Sequence, residues 1–259
     1  MKIIAIANQK GGVGKTTTAV NLGVALAEKK LRILIVDLDP QANATSALGM
    51  QEVESESIYD SLLGGASIVE KVLPTRIERL FLIPADLELA GAEVEIARMN
   101  DHLTRLAQTL SILRSDQTFD FIFLDCPPSL GILMTNALAA ADEILTPIQC
   151  EYFALEGLVK IVRVVKQVRD SGANEQVEIG GIVMTMFDGR TKLSGQVVAE
   201  VRAHFGERVY ATVIPRTVRL SEAPSFGKSI LEYDPKGTAA RAYRALAEEF
   251  LKRHQVDQL

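Results

Sequence analysis

The stretch Lys10-Gly11-Gly12-Val13-Gly14-Lys15-Thr16-Thr17 holds the residue types needed to cradle a polyphosphate. In the ordinary phosphate loop, G-x-x-x-x-G-K-[ST], glycines let the backbone turn tightly, so that several N–H groups point at phosphate oxygens. Lys15 would place a point charge on the outer phosphates. The Thr16 hydroxyl would be positioned to bind Mg2+, an ion that usually keeps some of its waters. Lys10 departs from the standard pattern. A second cation so close to the phosphates points to charge stabilisation during phosphoryl transfer, supplied within the chain or to a neighbouring subunit. A glycine turn without a ligand is the plain alternative, and the completeness of the motif argues against it.

Two acidic sites end apolar runs. One run finishes Ile35-Val36-Asp37-Leu38-Asp39-Pro40-Gln41, the other Phe123-Leu124-Asp125-Cys126-Pro127-Pro128. An aspartate closing a buried strand beside a phosphate loop holds Mg2+ directly or through a water, and Asp125 fits that role. The competing reading is an aspartate capping the following turn. Asp39, where the chain leaves the strand, is the preferred catalytic carboxylate, able to orient a water and to contact the metal shell. Asp37 is the secondary candidate, or else it satisfies loop N–H groups. Neither an arginine finger nor an isolated glutamate base is evident. The transition state must then rest on Lys10, Lys15, Mg2+ and backbone N–H groups, which implies slow intrinsic hydrolysis.

These residues need a frame. Short apolar, β-branched runs at Lys2–Asn8, Arg32–Asp37, Leu80–Pro84, Phe119–Asp125, Glu143–Ile148, Val177–Met184 and Val209–Ile214 read as buried strands. Helical spacing fills Thr16–Lys30, Asp86–Arg114, Gly131–Ala140, Leu155–Asp170, Lys192–Phe205 and Gly237–Arg253, while Gln51–Pro74 is irregular. The alternation predicts an α/β fold, a mostly parallel twisted sheet with helices on both faces, and ligand along the carboxyl edge of the strands. With 259 residues, 47% of them hydrophobic, the chain suits one large domain spanning 1–259. Cys126 and Cys150 read as small buried side chains rather than a disulfide framework. His102 beside Asp101 reads as a surface or core residue, and Leu103, Leu106, Leu110 and Leu113 have helix-core spacing.

The formal net charge of −5 excludes a uniformly basic nucleic-acid binder. Its distribution is uneven: residues 1–184 carry 16 Lys+Arg against 24 Asp+Glu, a balance of −8, and residues 185–259 carry 12 against 9, a balance of +3. A solvated mixed-charge surface and an anion-binding face both fit that excess. No stretch approaches the ~20 apolar residues of a membrane span, and no signal peptide is visible, so a cytoplasmic protein is expected.

The motifs KGGVGKTT at 10–17, VDLDPQAN at 36–43, FLDCPPS at 123–129, QCEYFALEG at 149–157, MTMFDGRT at 184–191 and IPRTVRLSEAPSFGKSI at 214–230 together resemble the ParA/Soj family of partitioning ATPases, with its deviant Walker P-loop NTPase fold. The resemblance covers nearly the whole chain. It implies ATP and Mg2+ as cofactors, with Gly11, Gly12, Val13, Gly14, Lys15, Thr16 and Thr17 around the phosphates. Lys10 matches the signature lysine that reaches across an ATP-sandwich homodimer. Asp39 matches the aspartate needed for hydrolysis, and Thr16, Asp39 and Asp125 form the metal set. Met186, Pro215 and Arg216 fall where the family forms its adenine pocket. Arg190 and Arg219 match arginines that bind double-stranded DNA without sequence preference, on a nucleoid-associated protein stimulated by a ParB-type centromere-binding partner. Ala42 stands where glycine is common, and Phe226 where histidine is common.

From the residues alone, Arg190 and Arg219 could equally pair with acids such as Asp188 or Glu222. A MinD-like membrane-associated ATPase is the functional alternative, and it would need an amphipathic C-terminal helix. The end of this chain, Ala247 to Gln255, has few large apolar residues and two adjacent acids, as at the close of a surface helix.

Overall fold

The computed structural model describes residues 1–51 and 57–256. Strand β1 (Lys2–Ile6) runs into the glycine loop and helix α1 (Lys15–Glu28), which returns to β2 (Ile33–Asp37). Short helices α2 (Asn43–Ala47) and α3 (Tyr59–Leu63) lead to a small edge pair, β3 (Leu73–Pro74) and β4 (Leu80–Ile83). Helices α4 (Leu89–Ile96), α5 (Arg105–Thr109) and α6 (Ser111–Asp116) precede β5 (Phe121–Asp125). The chain then alternates through α7 (Ile132–Ala140), β6 (Glu143–Gln149), α8 (Ala154–Asp170), β7 (Ile179–Phe187), α9 (Lys192–Phe205) and β8 (Val209–Pro215). It closes with α10 (Val218–Glu222), α11 (Ile230–Tyr233) and α12 (Thr238–Arg253).

The eight strands form one sheet in the order β3-β4-β2-β5-β1-β6-β7-β8, parallel throughout except for β3 against β4. Successive strand residues face opposite sides. Ile3, Ala5, Leu34, Val36, Ile122 and Leu124 pack with α3 to α9 on one face. Ile4, Ile6, Ile33, Ile35, Phe121 and Phe123 pack with α1 and α12 on the other. Burial on both faces explains why these strands read as unbroken apolar runs. The chain leaves β1 toward β2 on one side and later reaches β6 on the other. The glycine loop therefore sits at the point where the strand order reverses, where open α/β sheets bind ligands.

All seven expected strands are present within a few residues of their predicted limits, and β3 is an additional, antiparallel edge strand. Of the less regular segment expected over Gln51–Pro74, to hold short helices and loops, residues 57–74 form α3, a short 3-10 turn at Ile68–Lys71 and β3, and residues 52–56 lie outside the described residues. The single helical pattern predicted over Asp86–Arg114 is a correction: the structure divides it into α4, α5 and the start of α6. Asn136 of α7 enforces the break just before α5. Its Nδ2 donates to the His102 carbonyl at 2.7 Å, and its Oδ1 accepts from Leu106 N–H at 3.0 Å. Those two backbone groups would bond each other in an uninterrupted helix, so a side chain inserted between them breaks it.

Helix α12 commits its apolar side to the core: Tyr243, Leu246, Ala247, Phe250 and Leu251 are all buried. Phe250 meets Phe121 edge-on at 5.0 Å and Phe123 at 5.9 Å. An apolar side already covered by the sheet is not available to a bilayer, so α12 does not supply the membrane helix of the MinD-like alternative. No helix among the described residues is long and apolar enough to cross a membrane. Phe250→Ala should lower unfolding free energy by about 3–5 kcal/mol, and Phe250→Leu by clearly less. Urea melts of both variants measure this, and equal midpoints for Phe250→Ala and the parent chain would show that α12 is not held through this ring.

Candidate active site

The loop after β1 is held by residues from two other strands, β6 and β7. Buried Asn8 donates to the Pro147 carbonyl at 2.9 Å and accepts from Lys10 N–H at 3.0 Å. Thr185 Oγ1 donates to the Val13 carbonyl at 2.8 Å, and Gln149 Nε2 to the Gly12 carbonyl at 2.7 Å. Gly12 and Gly14 adopt φ of 72° and 88°, the left-handed region that favours glycine. Gly14 opens α1, whose first turn carries no acidic side chain. Its positive end is therefore uncompensated and suited to an anion.

Lys15, the first residue of α1, is buried. Burial pushes its pKa down, while Asp125, Cys126 and Asp39 favour its charged form. Asp37 and Asp125 stand opposite each other in the β2–β5 register, both fully buried. Asp37 is saturated by backbone and side chain: it accepts from Thr45 N–H at 2.9 Å, Thr45 Oγ1 at 2.8 Å and Asp39 N–H at 3.2 Å. Of the two roles open to Asp37, satisfying loop N–H groups is the one the geometry realises. Burial nonetheless pushes its carboxyl up to about 6.

Asp125 is different. Neither of its carboxylate oxygens has a hydrogen-bond partner among the described residues. Burial, then the neighbouring Asp37, raises its pKa well above the usual carboxylate range. The Thr16 hydroxyl is near enough to favour the charged form without reaching hydrogen-bond geometry. A buried polar atom without a partner calls for a reason, and a hard cation bridged to it is one that the donor set Thr16 and Asp125 fits. The described residues contain no group of three or more His, Cys, Asp or Glu side chains arranged around a metal. A cation here would depend on ligand oxygens as well, as Mg2+ commonly does.

The phosphate loop opens into a cleft of about 480 Å³ lined by Gly11, Lys15, Thr16, Asp39, Met186 and Lys228 among others. Asp39 is 8% exposed, and its Oδ1 accepts from Gln41 N–H at 3.0 Å. A second pocket of about 250 Å³, sharing Gly14, Thr17, Met186 and Pro224 with the first, is lined by Pro215, Arg216 and Tyr243. The predicted phosphate residues, Val13 excepted, and the predicted adenine residues therefore line two adjoining hollows. Met186 has φ of 54°, a left-handed conformation uncommon for a non-glycine residue. Lys10 lies apart from both hollows: its Nζ is 2.8 Å from Gln149 Oε1 and 3.3 Å from Glu151 Oε2 at the exposed rim. Gln149, Thr185, Asn21 and Lys228 are the site residues that reading the sequence missed. Gln149 and Thr185 carried a usable signal, since both sit at the carboxyl ends of predicted strands.

A family model described as an AAA domain matches residues 1–179. The chromosome partitioning protein ParA of Caulobacter vibrioides is 47% identical over 98% of this chain and 96% of its own length. The sporulation initiation inhibitor protein Soj of Bacillus subtilis is 49% identical over 96% and 97%. The chain belongs to the ParA/Soj family. Among solved structures, cobyrinic acid a,c-diamide synthase from Mycobacterium smegmatis, with bound ATP analogue and magnesium, has a TM-score of 0.85 at 34% identity. That alignment covers 100% of this chain and 98% of the other.

The two arginines of the ParA/Soj motifs lie on neighbouring segments at the carboxyl ends of β7 and β8. Arg190 is 90% exposed at its side chain and forms a two-point pair with Asp188, at 2.9 and 2.7 Å. Arg219 lies over the Tyr233 ring, 5.6 Å from its centroid, and Tyr233 donates to Glu222 at 3.2 Å. The pairing with acids that the sequence left open is thus realised directly for Arg190 and only through Tyr233 for Arg219.

The unpartnered carboxylate has a stability consequence. A carboxyl whose folded pKa is raised costs nothing below its unfolded value of ~3.9, and its full cost appears above the folded value. For Asp37 that upper limit is about 6, and Asp125 acts in the same direction. Nucleotide-free protein should therefore gain stability as pH falls from 7 towards 5. Asp125→Asn should stabilise the nucleotide-free chain at pH 7 by on the order of 2 kcal/mol, an advantage that shrinks at pH 5. Urea unfolding at the two pH values measures it, and a variant less stable than the parent at pH 7 would contradict the assignment.

Proposed function

We propose that the chain is an ATPase, one domain over residues 1–259, that hydrolyses ATP to ADP and phosphate and forms an ATP-bound homodimer. The dimer binds double-stranded DNA without sequence preference and drives chromosome or plasmid segregation with a ParB-type partner, in the cytoplasm and on the nucleoid. The observation that carries this reading is the convergence of the glycine loop, Lys15, Thr16 and Asp39 on one cleft, with the unpartnered Asp125 buried beside Thr16 and Lys15. Strands from both halves of the chain share a single sheet, which supports one domain. The relative with bound ATP analogue and magnesium supports the choice of nucleotide and metal.

Within the cleft, backbone N–H groups of the loop and Lys15 bind and neutralise the phosphates. Met186, Pro215 and Arg216 line the hollow that would take the base. Mg2+, when bound, neutralises charge on the transferring phosphoryl group; Thr16, Asp39 and Asp125 would hold it. Asp39 orients the attacking water. Lys10 serves the nucleotide of a second subunit, a reading supported by its position at the exposed rim beside Gln149 and Glu151. With no arginine finger among these residues, intrinsic turnover is slow and leaves room for stimulation by a partner and by DNA. Dimerisation doubles the set of Arg190 and Arg219, and DNA affinity rises steeply with the number of phosphates neutralised.

Asp39→Ala should form ATP-dependent dimers while phosphate release stops; turnover at the parent rate would remove Asp39 from the mechanism. Arg219→Glu should lose retention on DNA yet still dimerise with ATP by light scattering. Undiminished retention would refute its role.

A further inference from the structure

The loop between β7 and α9 holds an acid and a base against each other. Asp188 is two residues from Arg190 and 22% exposed at its side chain. Its carboxylate accepts three bonds from that one residue: Nε at 2.9 Å and the backbone N–H at 3.0 Å on Oδ1, and Nη2 at 2.7 Å on Oδ2. The backbone bond makes this a local Asx-turn, so the acid is already oriented before the guanidinium arrives. The loop is fixed further by Thr191, whose hydroxyl and N–H both donate to the Asp188 carbonyl and whose side chain caps α9. A guanidinium edge binds carboxylate and phosphate in the same planar, two-point manner, and the Nε–Nη2 edge that Asp188 holds is closed to a phosphate while the pair lasts.

We propose that Asp188 is a built-in competitor for the DNA backbone, occupying the fork of Arg190 that a phosphate would otherwise take and so weakening the hold on DNA. This rests on the reading of Arg190 as a DNA contact. The guanidinium is exposed, and exposed ion pairs open at little cost. A phosphate that approaches the Nε–Nη2 edge must first displace Asp188, and one that approaches the Nη1 edge meets a cation already neutralised by its carboxylate. Arg219 is held more loosely: among the described residues it makes no direct ion pair, rests on the Tyr233 ring and donates to the Tyr233 hydroxyl at 3.5 Å. The two arginines then differ in kind, Arg190 held by a carboxylate on its Nε–Nη2 edge and Arg219 by an aromatic ring and its hydroxyl. The depressed pKa of Asp188, about 2, agrees with a carboxylate held by cations, Arg190 first and Arg216 more weakly. Such a brake suits a protein that must leave DNA readily as well as find it.

Asp188→Asn tests this, because asparagine can keep the turn to the Arg190 N–H while the charge is lost. The full chain with a non-hydrolysable ATP analogue is titrated onto a random-sequence duplex at several salt concentrations. Binding should tighten roughly 3- to 10-fold near 0.1 M salt, and log K against log salt should steepen by up to about 2 per dimer. The gain should vanish in Asp188→Asn combined with Arg190→Ala. A gain that survives without Arg190 reflects removal of a negative charge alone and overturns the proposal, as does unchanged or weaker binding by Asp188→Asn. Asp188→Ser, which can also form the turn, repeats the measurement should the asparagine variant fail to fold. Arg190→Ala alone should bind DNA more weakly; if it does not, the reading of Arg190 as a DNA contact fails first, which a failed gain in Asp188→Asn would leave standing.

Discussion

Two carboxylates face each other at the ends of β2 and β5, with no exposure to solvent, and much of the surrounding structure answers to them. Asp37 is neutralised in part by three local donors from Thr45 and Asp39, which fix the start of α2. Asp125 is left without a donor, and burial pushes both groups upward in pKa. Two buried like charges are costly unless one is hydrogen-bonded and the other finds a cation. The sheet places the first condition within the fold and leaves the second to a ligand that arrives with its own oxygens. The site therefore holds stored electrostatic cost that nucleotide and cation would relieve, a trade of stability for function common at active sites.

The same edge of the sheet is held together by polar side chains at strand ends. Gln149, closing β6, touches Lys10 with its oxygen and the Gly12 carbonyl with its nitrogen, and that nitrogen is 3.2 Å from Met186 Sδ. One amide thereby links the rim lysine, the phosphate loop and the pocket assigned to the base. β7 carries the connection outward: Thr185 anchors Val13, Met186 lines both pockets, and Asp188 holds Arg190. Along four consecutive residues the chain passes from the phosphate loop to the surface where DNA is proposed to bind.

The phosphate loop was legible because each of its residues has a requirement that few types meet: positive φ at Gly12 and Gly14, a cation at 15, a hydroxyl at 16. The seven long strands were legible because burial on both faces forces unbroken apolar runs. The helix expected over Asp86–Arg114 was misread, since its apolar spacing continues while Asn136, thirty residues beyond the break, takes the two backbone groups that would have bridged it. The two-residue strand β3 is too short to carry a pattern. Asp37 and Asp39 could be ranked but not separated, because which carboxylate meets Thr45 and which meets the cleft depends on how the chain leaves the strand.

The sequence by itself determined the covalent order of strand, glycine loop and helix, and with it the chemistry available: two lysines, a hydroxyl and carboxylates beside phosphates. It also determined the family, through motifs spread over nearly the full length. Tertiary structure alone decided which partners those groups meet. Asp125 lacks a donor, Lys10 rests on Gln149 and Glu151, and α12 spends its apolar side on Phe121 and Phe123 rather than on a membrane. The reason is that spacing along a chain reports local conformation, whereas desolvation and hydrogen bonding depend on residues brought together from more than a hundred positions away.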